Sequence, residues 1–323
     1  MRRRHVIAAA CALALPVLAQ AQAADYPKAG STIRYVVPFP PGGLTDVMAR
    51  LVAQQLGARW GTNVVVDNKP GGGGMIGADV VAKGPADGSA ILAVTMTHAV
   101  NASLFRGRSA YDFDKDLKPV ALLAGSPMLV VVPATSPIRD LKDLVAQAKA
   151  RQLNAGSSGN GTPPHLTLEL FNDLHKTKIQ HVPYKGGAPS MTDLIGGQLD
   201  VIFITFPESV AHVKAGKLRA LAIASAQRHA ALPEVPTTAE LGMPRLAVEN
   251  WTGIMAPAGM ADASVKKLAD EVLQVMAQPD MEEKAKAQGF RVDARGPKEF
   301  GAFAHDEVLR WKTVIEAAGI RAD

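Results

Sequence analysis

Near its amino terminus the chain reads IRYVVPFPPGGLTD over residues 33–46. The first half of this segment is rich in β-branched and aromatic residues, and the PPGG turn at 40–43 ends it. Apolar residues from Leu44 to Leu56 then recur at helical spacing, with Thr45, Asp46, Arg50 and Gln54 on the predicted solvent face. A strand, a glycine-rich turn and a helix in this order predict one unit of a parallel α/β sheet.

The same pattern repeats along the chain. We predict strands at 63–67 and 90–96, and a long apolar strand at 117–133 that opens a second series. A helix with Ser136 as N-cap and strands at 153–157, 179–184 and 201–205 follow. Strand 218–224 is predicted to return the chain to the first part, where strand 251–256 and three helical patterns complete the fold. Alternating strands and helices favour a parallel sheet covered on both faces.

Two such series joined by two crossings predict two lobes around a cleft, with the crossing strands as a hinge. The first lobe comprises residues 24–124 and 226–323, and the second comprises residues 125–225. A single doubly wound sheet remains the alternative. The length of 323 residues suits either arrangement, and 47% hydrophobic with 20% charged residues excludes a disordered chain, a coiled coil and a disulfide scaffold.

Residues 1–23 combine three arginines, a short apolar stretch and an Ala-Gln-Ala ending, which is typical of a signal peptide. We therefore predict export to the periplasm, by the general or the twin-arginine route. The single cysteine, Cys11, lies in this segment, so the mature chain has no disulfide and no thiolate nucleophile. The net charge of +5 includes the three arginines, and no basic stripe with interleaved aromatics remains to predict a nucleic-acid partner.

Four predicted strand ends carry polar or glycine-rich turns, and ligands of open α/β sheets bind at the carboxyl ends of strands. The four turns are FPPGGLTD at 39–46, TMTH at 95–98, SSGNGT at 157–162 and YKGGAP at 184–189. Glycine admits close approach to the backbone, and helix N-termini attract anions, so these turns predict a carboxylate held by neutral donors. Turns that need glycine only for their geometry are the alternative.

Other motifs do not favour further chemistry. The run Gly71–Gly74 lacks the ending of a phosphate loop, and we predict a flexible turn there. The histidines match no metal-binding spacing, and Ser158 and His165 belong to no nucleophile elbow. We therefore expect no metal, no cofactor and no enzymatic activity, and an exported α/β enzyme remains the rival from another class.

These motifs together resemble the Bug family of periplasmic solute receptors, the extracytoplasmic component of tripartite tricarboxylate transporters. The resemblance covers the mature chain and is carried by VVPFPPGG at 36–43 with Asp46, NKPG at 68–71, SSGNGT at 157–162, HVPYKG at 181–186, AGKLRALA at 215–222 and LPEVPT at 232–237. It implies a type II periplasmic binding fold and a monomeric, non-enzymatic receptor that closes on a small mono-, di- or aromatic carboxylate. It also implies delivery to the membrane subunits of the transporter, and a sensor kinase is the alternative partner.

In that family the loops matching 40–46 and 157–162 grip a carboxylate, and residues matching Thr97, His98 and 184–186 line the same cleft. The ligand-binding residues that we expect are Phe39, Pro41, Gly42, Gly43, Thr45, Asp46, Thr97, His98, Ser157, Ser158, Asn160, Gly161, Thr162, His165, Tyr184, Lys185, Gly186 and Thr205. Many relatives carry Asp-Asn where this chain has Ile204 and Thr205. The missing acidic group argues against an amino-acid ligand.

Overall fold

The computed structural model describes residues 26–28 and 30–321. The predicted signal peptide at 1–23, with Cys11, lies outside these residues. The strands are β1 Thr32–Val37, β2 Asn63–Asn68, β3 Ala90–Thr95, β4 Leu117–Pro133, β5 Asn154–Ser157, β6 Gln180–Pro183, β7 Val201–Thr205, β8 Leu218–Ala224, β9 Glu249–Pro257 and β10 Arg291–Arg295. The helices are α1 Leu44–Trp60, α2 Met75–Ala82, α3 Met96–Leu104, α4 Leu141–Ala150, α5 Pro163–His175, α6 Gly187–Ile195, α7 Phe206–Lys214, α8 Asp262–Met276, α9 Pro279–Ala287 and α10 Pro297–Ala318.

The strands form one curled sheet in the order β2-β1-β3-β9-β4-β7-β5-β6, and β8 and β10 also pair with β4. The neighbours β1, β2 and β3 are parallel, as are β5, β6 and β7. The antiparallel strands β4 and β9 join these two parallel groups. The mixed α/β, two-lobed fold class predicted from the sequence is thus confirmed.

Strand β4 belongs to both halves of the sheet. Its residues 117–127 pair with β9, and its residues 128–133 pair with β7 and β8. Almost the whole strand is buried, because helices cover it on both sides, and this burial explains its nearly unbroken apolar sequence. The sequence predicted this strand over the same residues.

The return of the chain to the first half differs from the prediction. Strand β8 does not return it, since β8 pairs antiparallel with the same part of β4 as β7 does. The return lies after β8, where the Val248 amide donates to the Ala224 carbonyl at 2.9 Å and the Met128 amide donates to the Val248 carbonyl at 3.1 Å. Strand β9 then begins at Glu249.

Helix α10 packs against α3 of the first half and α5 of the second. The buried indole nitrogens of Trp251 and Trp311 both donate to Glu307, at 2.9 Å and 3.0 Å. The Ser103 hydroxyl of α3 donates to the Val308 carbonyl of α10 at 3.2 Å. Helix α10 thereby contacts helices of both halves of the molecule.

Two helix starts differ from the sequence prediction. Helix α4 begins at Leu141, not at Ser136, because the Asp140 carboxylate caps it by accepting from the Asp143 amide at 2.8 Å. The Ser136 hydroxyl instead accepts from the Ile138 amide within a turn. Helix α3 was not predicted, since it follows β3 directly, with Thr95 as its N-cap and no intervening loop residue.

Candidate functional site

The turns selected from the sequence lie at the carboxyl ends of the parallel strands. The first rim consists of residues 38–46 after β1 and residues 95–98 at the end of β3. The second rim consists of residues 157–162 after β5, residues 184–187 after β6 and residues 205–208 at the end of β7. Because strands of one parallel group end at the same edge, each rim collects loops that are distant in sequence.

The first rim is fixed by the carboxylate of Asp46. This side chain is only 2% exposed, and it accepts from the Gly42 amide at 2.9 Å, from Arg50 at 2.9 Å and 3.0 Å, and from the Asn68 amide group at 2.9 Å. Asn68 also donates to the Phe39 carbonyl at 3.0 Å. Burial alone favours a higher pKa for Asp46, but the donors outweigh it and hold that pKa below its usual range. The carboxylate therefore organises the loop.

The burial of Asp46 and Thr45 corrects their predicted place on the solvent face of α1. By contrast, Pro41, Gly42 and Gly43 are exposed. Gly43 is the N-cap of α1 and makes no side-chain cap, so protein side chains leave the amides of the first helical turn uncapped. These amides and the helix dipole suit a ligand anion.

Behind this rim, His98 joins three loops. The Thr95 amide donates to its Nδ1 at 3.0 Å, so the neutral ring carries its proton on Nε2. Its ring meets Phe39 edge-on at 5.9 Å, and a Cβ on Gly74 would lie 3.1 Å from Nε2. The run Gly71–Gly74 was predicted as a flexible turn. It contains a 3₁₀ turn at Gly72–Gly74, and Gly74 lies against His98 and Phe39. Burial lowers the pKa of His98 to about 4.

His98 and Thr97 lie at the predicted rim but are buried, with exposures of 0% and 4%. The Nε2 atom of His98 has no hydrogen-bond partner among the described residues. In this conformation the imidazole supports Phe39 and the glycine run and does not face solvent.

The second rim is organised by hydroxyl and imidazole groups. The Ser157 hydroxyl lies 2.6 Å from Nε2 of His181 and accepts from the Gly159 amide at 3.0 Å. The Gly161 amide donates to Nδ1 of His165 at 3.1 Å, and the rings of His165 and His181 stack at 3.8 Å. Burial, aided by His181, lowers the pKa of His165 to about 3, so this support is uncharged at neutral pH.

Thr162 is the N-cap of α5, yet its hydroxyl does not cap the helix. It donates to the Gly159 carbonyl at 2.7 Å. Pro163 and Pro164 occupy the first two helical positions and have no N–H to offer. An anion at this loop must therefore be held by loop amides and hydroxyls such as those at 158–161, where Ser158 is half-buried and Asn160 exposed.

The second rim approaches helix α3, which begins at the first rim. Gly161 has a φ of +71°, and a Cβ built on it would lie 2.8 Å from Cδ2 of Leu104, the last residue of α3. The loop at 157–162 thus lies against α3, and only glycine at position 161 avoids a clash with Leu104. This approach brings the loop at 157–162 next to the helix that follows residues 95–98.

The turn after β6 completes the second rim. The Tyr184 hydroxyl donates to Asp193 at 2.6 Å, and this hydrogen bond raises the pKa of Tyr184 to about 12. The Tyr184 hydroxyl therefore already donates its proton to a protein acceptor, Asp193. Lys185 is exposed, and Gly186 has a φ of +118° with nothing near its Cβ position.

One acidic residue at this rim was missed from the sequence. The Thr205 hydroxyl at the end of β7 donates to Oε2 of Glu208, in the first turn of α7. A Cβ on Gly187 would lie 2.6 Å from Oε1 of the same side chain. The spacing Thr-x-x-Glu at a helix start is the signal that predicts this pair. Residues 204–206 themselves carry no acidic group, as the sequence shows, but Glu208 supplies one in the next turn of the chain.

Residues 26–28 and 30–321 contain neither a metal-binding cluster nor a membrane-spanning helix. No cluster of three or more His, Cys, Asp or Glu side chains is arranged to hold a metal ion. No helix in the same residues combines the length and apolarity that crossing a membrane requires.

Comparisons with known proteins agree with this geometry. The model of the tripartite tricarboxylate transporter family receptor matches residues 48–320. BugT from Bordetella pertussis is 35% identical over 320 residues, covering 98% of this chain and 96% of BugT. MatC from Rhodopseudomonas palustris with bound malate is 31% identical, with a TM-score of 0.80 and coverage of 88% and 99% of the two chains. R. palustris Rpa4515 with adipate is 34% identical, with a TM-score of 0.84 and coverage of 92% and 99%.

The two-lobed α/β fold, with glycine-rich loops on facing rims, defines a periplasmic binding protein of type II. The chain belongs to the tripartite tricarboxylate transporter family of receptors, which confirms the resemblance to Bug proteins seen in the sequence.

Proposed function

We propose that this chain captures a small organic carboxylate by closing its two lobes and delivers it to the membrane subunits of a tripartite transporter. The observation that carries the proposal is the close approach of the glycine-rich loop at 157–162 to helix α3, which begins at the first rim: a Cβ on Gly161 would lie 2.8 Å from Leu104. The proposed ligand contacts are the eighteen residues selected from the sequence, with the buried Asp46 and His98 acting as supports of the first rim.

The chemistry of the rims supports a carboxylate. Uncapped amides at the start of α1 attract negative charge, and the Asp46 carboxylate beside them is paired with Arg50. Loop amides and hydroxyls of residues 157–162 provide neutral donors on the opposite side. The structures with malate and adipate show that relatives of about one-third identity bind carboxylates, which supports the same ligand class here.

We assign residues 24–124 and 226–323 to one lobe and 125–225 to the other. The change of partners along β4, from β9 to β7 and β8 near residue 127, supports this division. The second crossing, at residues 225–248, runs beside the first because Val248 hydrogen-bonds to both Ala224 and Met128. Two adjacent crossings form a hinge that permits closure.

We further propose that the protein works in the periplasm after removal of residues 1–23, as a monomer that does not transform its ligand. The test is calorimetric titration of the mature chain, freed of co-purified ligand by unfolding and refolding. Succinate, malate, adipate, citrate and benzoate are the probes. We expect saturable one-to-one binding of at least one carboxylate, with the ligand recovered unchanged by NMR.

Two results contradict the proposal. One is a folded protein, judged by circular dichroism, that binds no carboxylate of the panel. The other is conversion of the ligand to a product. Delivery is tested separately, because deleting the gene must abolish uptake of the bound carboxylate by cells that retain the membrane subunits.

A further inference from the structure

A carboxylate lies at the second rim between two helix starts. Glu208 is in the first turn of α7, and its Oε1 is so close to Gly187 that a Cβ there would lie 2.6 Å away. Gly187 begins α6, and the strand between β6 and β7 in the sheet is β5. The Glu208 side chain therefore reaches across the end of β5, the strand that continues into the loop at 157–162.

This carboxylate lacks a cationic partner. Within residues 26–28 and 30–321, no Lys, Arg or His forms an ion pair with Glu208, and the Thr205 hydroxyl is its hydrogen-bond donor. The Asp46 carboxylate of the first rim differs, because Arg50, Asn68 and the Gly42 amide all donate to it. Glu208 consequently keeps acceptor capacity for a further donor.

The carboxyl of Glu208 is desolvated by nearby protein groups. The residue is exposed to solvent, yet protein surrounds its carboxyl on most sides, and the resulting desolvation raises the pKa of Glu208 above its usual range. The neighbouring Ile204 and Phe206 are buried and present no polar group there. Glu208 is thus an acidic group next to the ends of β6 and β7.

We infer that Glu208 forms a second polar subsite that recognises a hydrogen-bond donor, an ammonium or a hydroxyl, at the end of the ligand remote from its bound carboxylate. The inference rests on the proposed function, because the carboxylate must be held at the loops of residues 40–46 and 157–162. An acidic side chain at the remote end attracts a donor and repels a second carboxylate. The ligand class becomes an amino or hydroxy carboxylate rather than a simple dicarboxylate.

The test compares ligands of equal length with and without a remote donor. Calorimetry is run at pH 7.5 with 4-aminobutyrate, 4-hydroxybutyrate and succinate, and with 6-aminohexanoate and adipate. We expect the wild-type chain to prefer the donor-bearing member at the length that fits. Glu208→Gln removes the charge at nearly constant shape, and it is expected to reduce the preference for the amino acid over the dicarboxylate by at least about tenfold.

Glu299→Gln is the matched control, since Glu299 is likewise an exposed residue in a first helical turn, that of α10. Its binding preferences should equal those of the wild-type chain, and thermal unfolding verifies that both variants are folded. Tight binding of dicarboxylates alone, or an unchanged preference in Glu208→Gln, overturns the inference and leaves the proposed function standing. Binding of no carboxylate by the wild-type chain overturns the proposed function itself.

Discussion

The two rims of the cleft look alike in sequence, but they are stabilised by different chemistry. In the first rim an ionised carboxylate, Asp46, ties the loop at 40–43 to α1 and β2 through Arg50 and Asn68. In the second rim the loop at 157–162 is tied by hydroxyl and imidazole groups, and burial keeps the pKa of the His165 imidazole low enough for that ring to be neutral at pH 7. The difference shows that one glycine-rich pattern can be preorganised by ionic or by neutral contacts.

The helix starts differ in the same way. Helix α1 has no proline in its first turn, so its free amides contribute to an anion site. Prolines occupy early positions of α5 and α7 in the second rim and remove donors there. We therefore expect the negative charge of the ligand to be held chiefly by the first rim, and the second rim to supply neutral donors and shape.

The largest expected effect comes from adding a side chain to Gly161, which faces Leu104 of α3. Gly161→Val puts a side chain at a φ of +71°, where non-glycine residues cost about 1–2 kcal/mol, and brings its Cβ to 2.8 Å from Leu104. We expect loss of detectable ligand binding by calorimetry, because the lobes cannot close. Adding Leu104→Ala to Gly161→Ala creates space and should restore part of the binding.

Gly43→Val in the first rim is the matched comparison. Gly43 has an extended φ of −78°, and its Cβ would lie 3.7 Å from the Pro40 carbonyl, an ordinary contact. This variant should fold and retain weaker but measurable binding. Two results would contradict the view that Gly161 is needed because it lies against Leu104. One is an equal loss of ligand binding in both variants, and the other is wild-type binding in Gly161→Val.

The next effect separates the ionic from the neutral support. Asp46→Ala removes an acceptor used by Gly42, Arg50 and Asn68, and should lower the free energy of unfolding by about 3 kcal/mol, since hydrogen bonds to charged groups contribute about 1.5–3 kcal/mol each. Ser157→Ala removes neutral contacts and should cost about 1 kcal/mol. Urea unfolding measures both. A larger loss for Ser157→Ala refutes the distinction between the rims.

Sequence reasoning predicted most elements of the fold because their signals are local. The unbroken apolar run of β4 and the turn at 40–43 needed no tertiary information. The burial of Asp46 was not predicted, because its partner Asn68 comes from β2, and helical spacing alone places Asp46 on the solvent face. The stack of His165 on His181 likewise joins α5 to β6, so no pattern within either segment reveals it.

Glu208 and α3 were missed for a different reason. Both follow a strand end directly: residues 95–98 were predicted as a turn, and Glu208, in a segment predicted to be helical, was not selected as a site residue. The Thr205-x-x-Glu208 spacing is local, but only the packing of α6 against β7, the strand before α7, brings that carboxylate to Gly187. Elements are thus readable from periodicity, whereas the assembly of a rim depends on which strands become neighbours.

The last expected effect is the dependence of stability on pH. The unfolded chain takes up a proton on His98 near pH 6.5, whereas the buried imidazole in the folded chain stays neutral down to a pKa of about 4. Protons therefore favour the unfolded state progressively between these values, by about 2 kcal/mol at pH 5 for this residue. We expect urea unfolding to report a falling free energy from pH 7 to pH 4.5.

His98→Asn keeps an acceptor for the Thr95 amide and cannot be protonated, so its stability should fall less steeply over this range. His305→Asn, on the exposed side of α10, is the control and should leave the slope unchanged. The Asp46 contribution has the same sign but a lower pH window, because its lowered pKa makes it lose stability only as the pH falls below 3.8. The free energy of unfolding of an Asp46→Ala variant should therefore run parallel to that of the wild type above pH 4.5. Convergence of the two curves above pH 4.5 would show that mild acid also destabilises the first rim.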